Sequence, residues 1–387
     1  MKTHRLYYEN AYIKEFKATV LSCVTVKNGY AIILDKTAFF PEGGGQKSDE
    51  GFIGGIAVTD VQEVDGEICH YTSEPVEEGT VVSCSIDWNK RFIRMQNHSG
   101  EHIVSGVVHS LFGYDNVGFH MDEGWVTVDF NGELTREQLD LVEDKANEAI
   151  YSNYKINCFF PSLEKLGDYN YRSKLDLTED VRLVEIENTD LCACCAPHVK
   201  STGEIGIVKI LDFMRHRGGV RIVMKSGTDA LRDYREKYKN VYEISNLLSA
   251  KQENVADYVR RLLDETDSIK REFYQYRLSV AQRDKDNLKY SGDISYFITD
   301  GYDADMMREV ANYGAAKSEL SVIFSGNDND GYSYVACSLC YDMKMIAKKI
   351  NTALNGRGGG RDTMIQGKVI SLKVNIENFI KTVDFKG

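Results

Sequence analysis

The chain has 387 residues, 42% apolar and 27% charged, which is enough for two or three soluble domains with their own cores. A net charge of −12 excludes indiscriminate nucleic-acid binding over a broadly basic surface, while leaving room for a local basic patch. No segment approaches the roughly 18 apolar residues that cross a bilayer, and the opening MKTHRLYYENAYIKEF has no apolar signal region, so the expected setting is the cytoplasm with no membrane partner.

In chain order, residues 30–34 read as a buried strand, followed by TAFFPEGGGQ, whose Gly43, Gly44 and Gly45 describe a tight turn with close backbone approach. By itself a glycine triplet is usually only a loop, and no GxxxxGK[ST] or GxGxxG accompanies it. Residues 53–64 and 80–86 alternate or run apolar, as in a small antiparallel β-domain of barrel type. Next, Asp87 is a candidate N-cap, Phe92, Met95, Val104, Val107, Val108 and Leu111 recur at helical spacing, and Gly113 is a candidate stop. On that helix His98 and His102 lie one turn apart on one face.

The next informative run is CACCAPHV. Nine cysteines, an odd number with three crowded at 192, 194 and 195, suit thiol or metal chemistry better than a disulfide framework. Pro197 between Cys194 and His198 favours a loop over a helix. Alone, the histidine pair also reads as a polar face and the cysteines as small buried hydrophobes. Together, His98, His102, Cys194 and His198 form two matched pairs of nitrogen and sulfur donors suited to Zn2+. Beyond residue 225, Leu231, Tyr234, Tyr238, Val241 and Leu248, then Leu262, Ile269, Phe273 and Tyr276, follow helical steps with a polar break at 249–254, predicting two long helices as a hairpin. From residue 291, strands at 294–298 and 321–324 and a helix at 344–354 predict an α/β domain, in which NGRGGGRD joins flexible amides to Arg357 and Arg361 as a cradle for phosphates. Basic residues also cluster at Lys90, Arg91 and Arg94 and at Arg215, Arg217 and Arg221.

TAFFPEGGGQ, NHSGEH, CCAPHV with STGEIG behind it, and GRGGGRDTMIQG stand in the order found in the AlaX family, which the chain resembles over nearly its whole length. The resemblance is to the long form, related to the editing and C-terminal DHH-associated domains of alanyl-tRNA synthetase. It implies an α+β protein in four parts: residues 1–88, a β-barrel-like domain with the glycine motif; 89–226, a zinc-binding editing domain; 227–290, the helical hairpin; and 291–387, a glycine-rich α/β DHH-associated domain. The implied activity is hydrolysis of the ester joining serine, and secondarily glycine, to alanine tRNA, with His98, His102, Cys194 and His198 as zinc ligands and catalytic group. The family's glycine motif falls on Gly43, Gly44 and Gly45, with Gln46 beside the pocket and Thr37 at a pocket position. Arg215, Arg217, Arg221, Arg357 and Arg361 are the expected tRNA contacts, and a homodimer through the helical and C-terminal parts is implied. The cysteine motif departs from the common CGGTH, since Cys195, Ala196 and Pro197 replace two glycines and a threonine.

Zinc polarises an ester carbonyl or activates water, and a catalytic ion normally keeps one position open. Four protein ligands close it, so His198 is either a displaced ligand or a base and orienter, and a wholly structural ion is the opposing reading. Alanine is smaller than serine, so selectivity must come from a group that serine alone satisfies; Thr37 is the candidate, against the plain reading that it ends a strand. A DHH-type phosphoesterase lacks its DHH triplet here, and a synthetase lacks an upstream aminoacylation domain. Editing of another mischarged tRNA, as in threonyl-tRNA synthetase, and tRNA binding without catalysis are the remaining alternatives.

Overall fold

The structure, a computed structural model, describes residues 3–122, 124–173 and 181–385. It divides into two compact units, residues 1–243 and 244–387.

In the first unit, Glu15–Val26 (β1), Gly29–Leu34 (β2), Gly51–Ile53 (β3), Ile56–Val64 (β4), Glu67–Thr72 (β5) and Val81–Ile86 (β6) close into a barrel in the order β1-β2-β5-β4-β3-β6. Ala18, Val20, Ile32, Leu34, Phe39, Val58 and Ile68 fill it. Strand β5 escapes a reading of apolar alternation because its inward positions are Ile68, His70 and Thr72, two of them polar. In β1 the alternation is broken by a register shift between Val20 and Ser22.

The helix Trp88–Phe112 (α1) follows. Asp87 caps it by accepting from the Lys90 amide, and Gly113 ends it in the left-handed region at φ 69°. Arg91 is wholly buried and ion-paired with the equally buried Asp49, while Lys90 and Arg94 bond to Glu50 and Ser48. The basic cluster expected on the surface here therefore fastens the helix to the segment behind the glycine turn. Asn116–Asp122 (β7), Trp125–Phe130 (β8), Arg136–Tyr151 (α2), Ile156–Phe159 (β9), Leu183–Ile186 (β10), Asp190–Ala193 (β11), Val208–His216 (β12) and Gly219–Ser226 (β13) complete the unit. They form a sheet of order β12-β13-β8-β7 and a smaller one, β9-β10-β11. The core between these and α1 holds Met95, Ile103, Val104, Val126, Leu139, Val184, Ile222 and Met224.

Gly227–Leu248 (α3) and Val255–Arg283 (α4) are the two long helices, broken where Ser249 takes φ 50°. The apolar side chains at helical spacing along them are exposed: Tyr234, Tyr238, Leu262, Ile269, Phe273 and Tyr276 are each more than half accessible.

In the second unit, Lys289–Ser291 (β14), Ile294–Thr299 (β15), Leu320–Asn327 (β16), Gly331–Cys337 (β17), Gly356–Arg361 (β18) and Met364–Val369 (β19) form one sheet of order β14-β15-β16-β17-β19-β18. Strands β15 and β16 run parallel across the helix Ala304–Ala315. The predicted glycine loop at 356–361 is thus the edge strand β18. Glycine disguised it through low strand propensity, yet a Cβ at Gly358 would lie 2.8 Å from the Tyr334 hydroxyl and 2.5 Å from the Gln366 carbonyl oxygen.

Candidate metal centre

Helix α1 carries His98 and His102 on one face, and the irregular segment after β11 carries Cys194 and His198. Ligand-type atoms of these four residues lie within 4.8 Å of one another. The Cys194 Sγ is 3.5 Å from His98 Nε2 and 3.4 Å from His198 Nε2. His98, His102 and His198 are all buried, with ring centroids 4.7 to 5.4 Å apart.

Each imidazole is held from behind. His98 Nδ1 donates to the Gln46 side-chain oxygen at 2.8 Å, which leaves its Nε2 lone pair facing Cys194. His198 Nδ1 pairs with Ser99 Oγ at 3.0 Å, and His102 Nδ1 lies 3.3 Å from Asp190 Oδ2 in an off-line contact. Asp190 is fixed in turn by Arg172 at 2.8 Å. Burial works against its charge, but His102 and Arg172 hold its carboxyl below the usual range.

Glycines set these approaches. At Gly45, with φ 84°, a Cβ would fall 2.5 Å from the Phe119 carbonyl oxygen, so only glycine lets the turn seat on β7 and deliver Gln46 to His98. At Gly106 a Cβ would meet the Thr189 oxygen at 2.5 Å and Asp190 Cβ at 2.8 Å, so its absence brings β11 against α1. Arg182, also buried, donates from Nη1 to the carbonyls of Cys194 and Ala196 at 2.9 Å each and so shapes the cysteine loop.

Burial, then the neighbouring His102 and His98, push the His198 imidazole well below its ordinary pKa, keeping it neutral. Burial pushes the Cys194 thiol well above its own. A buried thiol beside the neutral His198 and the Nε2 atom of His98 belongs to one soft nitrogen-and-sulfur donor set that fits a divalent metal. A cavity of about 970 Å³ opens beside the donors, lined among others by His98, Glu101, His102, Cys194, Cys195 and Gly44.

Of the remaining expected site residues, Gln46 and Gly44 lie at the donors and the cavity, and the others fall elsewhere. Thr37 is wholly buried, in a two-residue strand beside the barrel, and is not among the cavity's lining residues. Its hydroxyl is already engaged: His70 Nδ1 donates to the Ile32 carbonyl, so His70 Nε2 accepts the Thr37 proton at 2.8 Å, while Thr37 Oγ1 accepts from the Phe39 amide. Gly43 and Gln46 close the turn by a mutual backbone bridge, and Gly44 reaches the cavity wall. Arg221 is taken by Asp129 at 2.6 Å and Arg215 meets Glu133 at 3.2 Å, whereas Arg217 sits at the tip between β12 and β13. Arg357 and Arg361 are exposed at the ends of β18. Sequence reasoning missed Ser99, Asp190, Arg172 and Arg182; only Ser99, next to His98, carried a positional hint.

Comparison with known proteins bears on the whole chain. Residues 2–90 match the family model described as tRNA synthetases class II (A), residues 181–262 the threonyl and alanyl tRNA synthetase second additional domain, and residues 293–385 the DHHA1 domain. The alanyl-tRNA editing protein AlaX-L of Pyrococcus horikoshii is 26% identical over 94% of each chain. The chain thus resembles an AlaX-L editing protein along nearly the whole of both chains. Alanine–tRNA ligases are also similar, at 31% identity for Ignicoccus hospitalis over 93% of this chain and 30% for Pyrococcus furiosus over 95%. The chain spans about 40% of the length of those ligases. Among the described residues no helix is long and apolar enough to cross a membrane.

Proposed function

We propose that this chain is an AlaX-type protein that hydrolyses mischarged alanine tRNA in trans, chiefly the seryl and secondarily the glycyl ester, at a zinc site held by His98, His102, Cys194 and His198. The observation that carries the reading is the convergence of those four donors, three of them, His98, His102 and Cys194, on the wall of one cavity, with the imidazoles met from behind by Gln46, Asp190 and Ser99. The similarity to the alanyl-tRNA editing protein AlaX-L supports alanyl-tRNA editing in general.

When bound, zinc would supply a Lewis acid for the ester carbonyl or for water. The chain does the rest. Gln46, Ser99 and Asp190 hold the rings, Arg182 holds the cysteine loop, and the cavity wall orients the aminoacyl group. Neutral His198, paired with Ser99, is suited to remain a ligand or to take a proton from water at Nε2. With its proton committed to His70, Thr37 is a poor reader of a serine hydroxyl, and we assign it to the barrel instead.

The four-part division at 88, 226 and 290 belongs to the same proposal, as do tRNA contacts through Arg217, Arg357 and Arg361 and a homodimer through the exposed apolar side chains of α3 and α4. Charge reversal at Arg357 and Arg361 is expected to weaken tRNA binding and flatten its salt dependence with metal content unchanged.

The deciding experiment is deacylation of seryl-, glycyl- and alanyl-tRNA on an alanine tRNA body, by wild type and Cys194→Ala, with metal assayed in parallel. Release of serine by wild type alone, with alanine spared, supports the proposal. If every ester survives while the tRNA binds, the ion is structural, which four closed ligands would favour.

A further inference from the structure

Apart from the donor histidines, three basic side chains line the cavity: His109, Arg172 and Arg182. His109 meets Asp115 at 2.9 Å, and Arg172 donates to both oxygens of Asp190 at 2.8 Å. Arg182 differs from both. It is 6% exposed, and among the described residues no carboxylate forms an ion pair with it. The groups that share its field are the Tyr8 phenol, the Cys158, Cys194 and Cys195 thiols and the His198 imidazole, none of them a carboxylate. A charge on the Cys194 sulfur arises with a bound ion and is taken up by that ion.

The guanidinium is held in place from several sides. Its Nη1 donates to the Cys194 and Ala196 carbonyls at 2.9 Å each, the Cys158 thiol is a third hydrogen-bond partner, and the centroid of the Tyr8 ring lies 5.4 Å from its Cζ. A guanidinium carries five N–H donors, so these three bonds leave others over on a side chain that forms part of the cavity wall. Its charge is permanent, and carbonyls and thiols replace the lost hydration only in part, so an anion completes it. The cavity, at about 970 Å³, is near the top of the ~300–1,000 Å³ range of ligand pockets and far exceeds what a seryl or glycyl group fills, so the nucleotide bearing the ester enters as well. That nucleotide supplies the anion: its 5′ phosphodiester lies one ribose away from the ester oxygen. Arg182 in turn is bonded to the backbone of the donor Cys194, beside the place where the ester is taken.

We propose that Arg182 is the receptor for the phosphodiester on the 5′ side of the terminal nucleoside, a charge-assisted contact that seats the ester against the four donors. This inference rests on the editing reading and adds to it the group that positions the end of the tRNA within the same cavity. A substrate lacking that phosphate would leave the arginine buried without its counter-ion, the costly half of a broken charge pair.

The test is equilibrium binding of two non-hydrolysable compounds to the zinc-loaded full chain: the 3′-seryl amide of 3′-amino-3′-deoxyadenosine bearing a 5′ methyl phosphate, and the same amide with a free 5′ hydroxyl. Wild type is expected to prefer the phosphate by roughly 10-fold or more, as for hydrogen bonds to a charged group. A chain of net charge −12 supplies no such preference by itself. Arg182→Gln should abolish the preference, and Arg182→Lys should retain part of it. Because Arg182 also shapes the cysteine loop, zinc content is assayed in each variant. If a variant loses the ion, a crystal structure of wild type with the phosphate compound decides, the phosphate being expected within hydrogen-bond distance of the Arg182 guanidinium. Equal affinity of wild type for both compounds, a preference that persists in zinc-loaded Arg182→Gln, or a phosphate seated away from Arg182 overturns the proposal. Hydrolysis of seryl-tRNA by the same preparations reads the editing proposal separately: phosphate-selective binding without hydrolysis removes that reading and keeps this one, and hydrolysis without phosphate selectivity does the reverse.

Discussion

The first unit holds two buried histidine networks that look alike in burial and differ in completion. In the barrel, His70 is closed on both sides, donating from Nδ1 to Ile32 and accepting at Nε2 from Thr37. At the helix, His98 and His198 are anchored at Nδ1, and their Nε2 atoms face the Cys194 sulfur. Burial with every polar atom paired stabilises a fold. Burial with several nitrogen and sulfur donor atoms aimed at one point marks a place for a ligand. The same residue type, equally hidden, thus serves structure in one place and chemistry in the other.

Removing one member of each network should separate them most sharply. Cys194→Ala or His98→Ala is expected to abolish the bound ion and ester hydrolysis together, whereas His70→Gln should keep both and lower only stability. Metal analysis beside a melting curve reads this directly; an ion retained at full occupancy in Cys194→Ala would show that the four donors do not act as one site.

A smaller effect is expected from the groups behind the rings. Asp190→Asn and Gln46→Ala leave all four donors in place, so they should weaken metal affinity by roughly 10- to 100-fold, as is usual for residues that orient a ligand. Competition with a chelator measures it. Gly106→Ala should act in the same direction, because the added Cβ pushes Asp190 away from His102. Unchanged affinity in all three would mean that the rings are held by packing alone.

Much of this site is legible in the chain, for reasons that also mark where legibility ends. The spacing of His98 and His102 between Asp87 and Gly113 is local, so helix, caps and shared face follow from neighbours in sequence. Pro197 makes the second pair a loop for the same reason. Asp190, Arg172 and Arg182 act through sheet pairing and loop closure over long separations, for which no periodicity exists. Strand β5 was hidden because its inward face carries His70 and Thr72, and β18 because its glycines answer to Tyr334 and the neighbouring strand rather than to propensity. The pairing of Thr37 with His70 is hidden for a related reason: it depends on the His70 tautomer, which the Ile32 carbonyl fixes. The seams of α3 and α4 show the opposite limit, since a correct helical period did not reveal whether the chain itself would cover them.

Acid should also tell the two networks apart. Burial lowers the His70 pKa to about 4 from an unfolded value near 6.5. Between these values the unfolded chain binds a proton that the folded barrel does not, so this contribution is intact above pH 6.5 and is lost as pH falls toward 4, by roughly 3 kcal/mol. In metal-free protein, the urea midpoint of wild type should therefore fall more steeply between pH 7 and 4 than that of His70→Gln. Parallel curves would mean that His70 titrates normally and is less enclosed than its hydrogen bonds imply.

The smallest expected effect is the most exacting for the comparison. Thr37→Val keeps shape but removes the hydroxyl that donates to His70 and accepts from the Phe39 amide, leaving two buried polar atoms unpaired. The expected loss is about 1–3 kcal/mol of stability, seen as a lower melting temperature. The ratio of seryl- to alanyl-tRNA hydrolysis should not move, because the hydroxyl is spent inside the barrel and the cavity wall does not include it. A collapse of that ratio at unchanged melting temperature would place Thr37 in the substrate pocket and erase the distinction between the closed network and the open one.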